Sequence, residues 1–434
     1  MITLRRLGMT HALALLLVRR AAGELIPVPD FSNHPIPTSQ LPDATVAFWE
    51  YLDVAALFMA LCLATYWALV TRSRRNLFLL TIGSLLWFGF WRKGCVCAIG
   101  ATQNITLAMF QSDYVVPLSV VLFFVLPLIF TLFFGRTFCA SVCPLGAVQE
   151  LVTIRSIQVP RWLDHALSLL AYVYLGAAVL FAATGTAFLI CRYDPYVAIF
   201  RFNGNANIVI LGGCLLLIGL FVGRPYCRYL CPYGAILGVV SKFSKWHLRI
   251  PPDACIQCRL CEDVCPYGAI QPPSAELTPA DRERGKRRLG FLLLLAPVLI
   301  GLLGWLGTLL AVPLSHLDPE VQLAEQLRRE DLGLTDTMTD ASEAFRNARH
   351  SVSDLYQATL LEREQFRWLG GALGVWVGLV VSIKLISLSI RRRRDEFLPN
   401  RTGCVSCGRC FWYCPVEQVR LGLIENTDEV VKAE

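Results

Sequence analysis

The chain has 434 residues, 55% of them hydrophobic and 17% charged, with a formal net charge of +7. That balance excludes one large water-soluble core and describes a membrane protein. The positive residues sit in short runs beside apolar segments, where they set membrane orientation rather than bind nucleic acid, and most of the 17 cysteines fall in metal-spaced groups that need reduced thiolates, not a disulfide scaffold.

Residues 1–23 carry Arg5 and Arg6, an apolar run over 7–18, and then Ala21-Ala22-Gly23. This is the pattern of a signal peptide or, given Arg19 and Arg20, of an uncleaved N-terminal anchor. Residues 24–50 are an irregular, Pro-containing periplasmic lead-in. Seven apolar segments follow, at 53–70, 76–91, 117–134, 166–183, 206–222, 290–310 and 368–390. Most approach the roughly 20 residues that cross a hydrocarbon layer. The first five make a membrane core over 51–246; the last two make a hairpin over 290–390 with a charged, helical periplasmic loop at 311–367. Basic clusters at 71–75, 282–288 and 391–394 then fall on one side, the cytoplasmic side. None of the six His lies mid-span, which leaves no axial pair for a membrane b-type haem.

Cysteine spacing carries the chemistry. The second apolar segment runs into Gly94-Cys95-Val96-Cys97-Ala98-Ile99-Gly100-Ala101, and the loop after the fourth holds Cys191-Arg192-Tyr193-Asp194-Pro195. The topology predicts that both emerge on the outer side. Cys95, Cys97 and Cys191 then form an outer group able to help ligate a cluster or copper(I), or to form a disulfide beside one remaining thiol. Asp194 is either a fourth ligand or a turn cap before Pro195.

A stronger signal is a repeat. The third segment ends in Gly135-Arg136-Thr137-Phe138-Cys139-Ala140-Ser141-Val142-Cys143-Pro144-Leu145-Gly146-Ala147, and the fifth in Gly223-Arg224-Pro225-Tyr226-Cys227-Arg228-Tyr229-Leu230-Cys231-Pro232-Tyr233-Gly234-Ala235. The repetition implies pseudo-twofold packing, and within each copy the cysteines share a face if the segment is helical. Cys139, Cys143, Cys227 and Cys231 would supply four thiolates, enough for one further iron–sulfur cluster at the membrane surface. The alternative is four reduced cysteines packing as small apolar groups. Arg136 and Arg224 either donate to cluster sulfurs or snorkel from the span ends.

The most specific motif occurs twice. Cys255-x2-Cys258-x2-Cys261-x3-Cys265-Pro266 and Cys404-x2-Cys407-x2-Cys410-x3-Cys414-Pro415 are complete ligand runs of a bacterial two-cluster ferredoxin. Structural zinc favours separated C-x2-C pairs instead. In two-cluster ferredoxins the fourth Cys of each run reaches the other cluster. One [4Fe–4S] cluster therefore takes Cys255, Cys258, Cys261 and Cys414, and the other takes Cys404, Cys407, Cys410 and Cys265. The expected fold is a multi-span α-helical membrane protein bearing a cytoplasmic α+β two-[4Fe–4S] ferredoxin-like module. Its halves, 247–275 and 395–425, are split by the membrane hairpin.

The repeats on membrane spans, together with the paired ferredoxin runs, resemble the NosR/NapH-type membrane iron–sulfur proteins over residues 50–270 and 395–425. The resemblance implies a bacterial inner-membrane protein that moves electrons between the quinone pool or a cytoplasmic donor and a periplasmic redox protein or reductase. It maps onto Cys139, Cys143, Cys227, Cys231 and the eight ferredoxin cysteines. The chain departs from the pattern in its short lead-in, its split ferredoxin, and the extra Cys95, Cys97 and Cys191. Neither a nucleophile–base constellation nor a nucleotide-binding glycine loop is apparent, so the expected role is an electron-transfer subunit rather than an independent enzyme. A different class, a maturation factor reducing copper or thiols for an exported metalloenzyme, is motivated by the outer cysteines. A redox-sensing regulator would need an output domain that the chain does not display.

Overall fold

The structure is a computed structural model that describes residues 47–94, 97–250, 255–274, 278–335, 338–348, 351–390, 393–394 and 396–427. The predicted signal peptide or anchor, most of the lead-in, and Cys95 lie outside these residues.

The described chain is mostly helical, as its long apolar runs dictate. Among the described residues four helices are long and apolar enough to cross a membrane: Phe48–Val70, Arg161–Ala183, Pro279–Leu309 and Val352–Ser389. A fifth arises if Pro195–Arg201 and Ala206–Gly219, bent by 106° at a short break, count as one span. This is fewer than the seven apolar segments suggest. Leu118–Phe134 has 17 residues and falls just short. The segment expected at 76–91 is an α-helix, Arg74–Ser84, that widens into a π-helical turn over Leu85–Trp91.

The elements that position the cysteines are α1 (Ala47–Thr65), α2 (Arg74–Ser84), α3 (Ala98–Phe110), α4 (Leu118–Phe134), α5 (Pro144–Val152), α6 (Leu170–Ala183), α7 (Pro195–Arg201), α8 (Ala206–Gly219), α9 (Pro225–Tyr229) and α10 (Pro232–Val240). The core lies among them and is dominated by apolar side chains such as Leu61, Ile99, Phe123, Phe200 and Leu237. After α2 the chain reverses at Lys93 and Gly94, both with positive φ (51° and 65°). A Cβ on Gly94 would lie 3.1 Å from Phe200 Cδ2, so the turn needs glycine for conformation and for space. The reversal sends α3 into the core, and Ala98–Gln103 are all buried.

The ferredoxin-type halves meet through a two-residue antiparallel pair, β1 (Ile270–Gln271) with β2 (Leu398–Pro399), in the register Ile270 opposite Pro399. Asn400 N donates to Ala269 O at 2.7 Å and extends the junction. Between the halves, α11 (Pro279–Leu309) and α12 (Val352–Ser389) pack closely along glycines. A Cβ on Gly307 would fall 2.2 Å from Gly370 O, and one on Gly374 2.0 Å from Leu303 O. Gly378 faces Ile300, so the helices run antiparallel. The Gly370-x3-Gly374-x3-Gly378 stripe lets the backbones touch, the small-residue logic of membrane helix pairs.

Candidate iron–sulfur sites

The two ferredoxin runs have the same backbone. Gln257 and Ser406 occupy equivalent positions with φ of 54° and 56°; Arg259 and Gly408 follow with 62° and 80°. Left-handed residues alternating along a loop turn successive backbone N–H groups inward, which forms an anion-binding nest. Each loop leads into a short helix, Leu260–Asp263 or Arg409–Trp412.

Cys265, Cys404, Cys407 and Cys410 line one cavity with Leu248, Tyr267, Ala269 and Ile270. The second set gathers beside it: Cys255, Cys258 and Cys414 are the thiol neighbours of Cys261. In each set three sulfurs come from one run and the fourth from the other.

Burial and the neighbouring thiols push Cys404 up to about 12, and burial with Cys258 and Cys414 does the same for Cys261. The protein alone therefore does not ionise them. Ligation requires thiolates, and the positive charge of iron supplies what the protein lacks. Thiols gathered four to a set, with Cys261 and Cys410 buried, on loops of nest-type backbone fit a [4Fe–4S] group.

The C-x3-C-P copies fold differently from a helical face. Cys139 lies in a π-helical turn, Phe138–Val142, and Cys227 in α9. Cys143 and Cys231 are extended N-caps, at φ −71°, ψ 119° and φ −66°, ψ 111°, of α5 and α10. The following proline occupies the first helical position, where its missing N–H costs nothing. Cys231 Sγ accepts from Gly234 N at 3.2 Å. All four thiols are nonetheless mutual neighbours, with Cys143 and Cys231 buried at 7% and 6% exposure.

The pseudo-twofold relation is visible in two crossed contacts. Arg224 of the second copy lies over Gly146 of the first, where a Cβ would be 2.9 Å from its Nη1; Arg136 of the first lies over Gly234 of the second, at 3.3 Å from its Nη2. The glycines of both x-Gly-Ala sequences thus make room for the opposite guanidinium. Arg136 Nη2 also reaches Cys139 Sγ at 3.7 Å, and its Nη1 donates to Thr402 O at 2.9 Å. Two buried cations, one of them donating to sulfur, fit an anionic thiolate cluster, and both arginines point into the protein rather than out to solvent.

The site adjoins the ferredoxin pair. Cys139 packs against Tyr267, Ala269 and Val405 together with Cys265, Cys404 and Cys407. Basic loops clamp the two layers. Arg74 donates to Cys407 O at 2.5 Å, Arg228 to Pro266 O at 3.1 Å, and Arg72 pairs with Glu417 at 3.2 Å. At the centre is Glu150, 6% exposed, paired with Arg74 (2.6 Å), Arg409 (2.8 Å) and Arg224 (3.2 Å) and accepting from Tyr267 Oη at 3.3 Å. Burial alone would raise its carboxyl, but the guanidiniums of Arg224, Arg409 and Arg74 overrule it and hold the group well below the usual range. Sequence reasoning missed Glu150 and Gln149. The available signal was an adjacent amide and acid inside the otherwise apolar helix Pro144–Val152.

Of the outer group, Cys97 and Cys191 come together, and Cys97 also meets the first C-x3-C-P copy. The topology read from the sequence puts Cys97 and Cys143 on opposite sides of the membrane. In the structure they line one apolar cavity with Leu57, Phe88, Ile99, Phe123 and Phe138. Cys97 is the extended N-cap of α3 (φ −129°, ψ 116°), and Cys97-Ala98-Ile99-Gly100-Ala101 repeats the C-x2-Gly-Ala helix start of the other copies. On its other side it neighbours Asp194 and Cys191; a Cβ on Gly100 would lie 3.2 Å from Cys191 Sγ. Asp194 caps α7, accepting from Tyr196 N at 2.9 Å and Val197 N at 3.3 Å, as a turn cap does. Cys191 is exposed.

Comparison with known proteins follows the same geography. A 4Fe-4S binding domain model matches residues 116–161 and again 205–251, the two C-x3-C-P copies, and another 4Fe-4S binding domain model matches 248–271, the first ferredoxin run. Protein NirI of Paracoccus denitrificans is 37% identical over 155 residues, 32% of this chain and 23% of that protein. The putative electron transport protein YccM of Escherichia coli is 32% identical over 156 residues, 32% of this chain and 43% of that protein. The regulatory protein NosR of Stutzerimonas stutzeri is 30% identical over 155 residues, 32% of this chain and 21% of that protein. The match therefore spans less than half of each of these relatives. No solved structure matches the chain. Over these residues the chain is similar to NosR-type membrane proteins with 4Fe-4S binding domains.

Proposed function

We propose that this protein is a membrane electron-transfer subunit of the bacterial inner membrane. It relays electrons between a cytoplasmic donor or the quinone pool and a periplasmic redox partner. When bound, each iron–sulfur cluster supplies a reversible one-electron step. The cysteine sets hold the groups in series: Cys255, Cys258, Cys261 and Cys414; then Cys265, Cys404, Cys407 and Cys410, together an α+β ferredoxin-like module; then Cys139, Cys143, Cys227 and Cys231.

The observation that carries this reading is Cys139 packed in one small apolar group with Cys265, Cys404 and Cys407. That adjacency joins the ferredoxin-type layer to the membrane core without intervening solvent. Cys97 extends the series, sharing a cavity with Cys143 and neighbouring the exposed Cys191. The cytoplasmic orientation of the ferredoxin halves is supported by Arg72 and Arg74. These residues of the first basic loop contact the second half directly, so the basic side and the cluster side coincide.

The test is vectorial. Full-length protein in sealed liposomes, with a redox dye trapped inside, is reduced from outside by dithionite. Dye reduction that depends on the protein and is lost in Cys139→Ala supports the relay; reduction equal to that of empty liposomes refutes it. A second reading, delivery of electrons to copper or to thiols of an exported metalloenzyme, is favoured by the exposure of Cys191. Tight copper(I) binding that disappears in Cys191→Ala would support it.

A further inference from the structure

The two C-x3-C-P copies are related by an offset of 88 residues, so Gln149 corresponds to Leu237 and Glu150 to Gly238. Near the thiols the symmetry is broken at these positions. In the first copy Arg136 reaches Cys139 Sγ at 3.7 Å. In the second, the matching Arg224 is drawn away: its Nε pairs with Glu150 Oε2 at 3.2 Å, Nη2 donates to Ala140 O at 3.0 Å, and Nη1 donates to Cys139 O. The hydrogen bond to Cys227 Sγ comes instead from Gln149 Nε2, at 3.1 Å.

Gln149 is fully buried, at 0% exposure. Its Oε1 accepts from Tyr226 N at 3.0 Å, which leaves the amide nitrogen for Leu145 O (2.7 Å) and Cys227 Sγ. The backbone N–H next to Cys227 thus orients the amide that serves Cys227. A dipole donating to a ligand sulfur stabilises the more negative, reduced form of an iron–sulfur group and raises its potential.

We infer that Gln149 is a positioning residue that sets the reduction potential of the cluster held by Cys139, Cys143, Cys227 and Cys231, and that Glu150 makes this necessary by taking Arg224 from Cys227. The inference rests on the reading of those four thiols as a cluster site. The resulting asymmetry has a direction. The Cys139 side, hydrogen-bonded by its guanidinium, faces the ferredoxin halves through Thr402 O at 2.9 Å, and on the Cys227 side the direct hydrogen bond to sulfur comes from a neutral amide while Arg224 acts only through space.

The experiment is an EPR-monitored redox titration of anaerobically purified full-length protein: wild type, Gln149→Leu, Gln149→Glu, and Cys139→Ala with Cys227→Ala. Gln149→Leu gives the first copy the residue the second already has. Gln149→Glu keeps an acceptor for Tyr226 N and, when ionised, removes the donor. The expected result is a lower midpoint potential, in one or both Gln149 variants, for the signal that the double cysteine variant lacks, with the two other signals unmoved. A signal that is present but titrates at the wild-type potential in both Gln149 variants overturns the inference while leaving the site intact. A double cysteine variant that keeps every wild-type signal overturns the site and the inference together.

Discussion

Glu150 Oε2 and Arg224 Nε lie 3.2 Å apart, with side chains 4% and 2% exposed. An ion pair withdrawn this far is weak evidence for stability in itself, but breaking it from one side leaves an uncompensated buried charge. Glu150 also binds Arg74 from the first basic loop and Arg409 from the second ferredoxin run. It therefore joins parts of the chain that sequence separates by up to 259 residues.

Replacing Glu150 with Ala strands Arg224 and unties Arg74 and Arg409. The expected loss is on the order of 3–5 kcal/mol. The measurement is thermal unfolding in detergent alongside limited proteolysis, with cleavage near Arg409 rising before the membrane helices unfold.

The same group gives a pH signature. Its folded-state value is depressed by three guanidiniums against the penalty of burial, so its contribution is fully present above the unfolded value of about 4.3. That contribution is lost as pH falls from there towards the folded value. Thermal stability should hold steady from neutral pH to about 5 and decline below about 4.3, and Glu150→Gln should be weaker at neutral pH with a shallower acid decline.

The partition of the ferredoxin cysteines is testable one at a time. Cys265 lines the cavity of Cys404, Cys407 and Cys410, whereas Cys414 neighbours Cys258 and Cys261. Cys265→Ala should disturb the signal that Cys407→Ala disturbs, and Cys414→Ala the signal that Cys258→Ala disturbs. Signals paired within each run instead would reject the crossover.

Cys97 stands between Cys143 and Cys191. Cys97→Ala should leave the ferredoxin signals unchanged and slow electron delivery to an external acceptor by roughly 10–100-fold, the range seen when support of a metal site is lost. Stopped-flow reduction of a periplasmic-side dye in oriented liposomes measures it.

In the hairpin, Gly374→Leu drives a side chain into Leu303 O, where even a Cβ would stand 2.0 Å away. Overpacking costs typically about 1–3 kcal/mol. Cross-linking of cysteines placed at Thr308 and Gly371, efficient in the parent chain, should fall in this variant.

The cysteine sets were legible because ligation imposes short, local spacings that survive in one dimension. The crossed Arg–Gly contacts were legible only as a repeat; that Arg224 lies over Gly146 requires the two copies to be folded together. Gln149 and Glu150 were legible only as an amide and an acid side by side in an apolar helix; their roles were not, since the partners that define them lie 74 to 259 residues away. The closeness of Cys97 to Cys143 was not legible, because hydropathy over 76–91 carries no information on which cysteine the next helix start meets. The same limit explains why the apolar segment at 206–222 gave no sign of the 106° bend between Pro195–Arg201 and Ala206–Gly219.

The central claim is that four cysteines from two repeats hold a cluster beside a ferredoxin pair. Anaerobic iron and sulfide quantification, on wild type and on the Cys139→Ala, Cys227→Ala variant, tests it most directly. The expected content is about twelve iron atoms per wild-type chain, three four-iron clusters, and about eight in the variant. An equal iron content in the two proteins would contradict the claim.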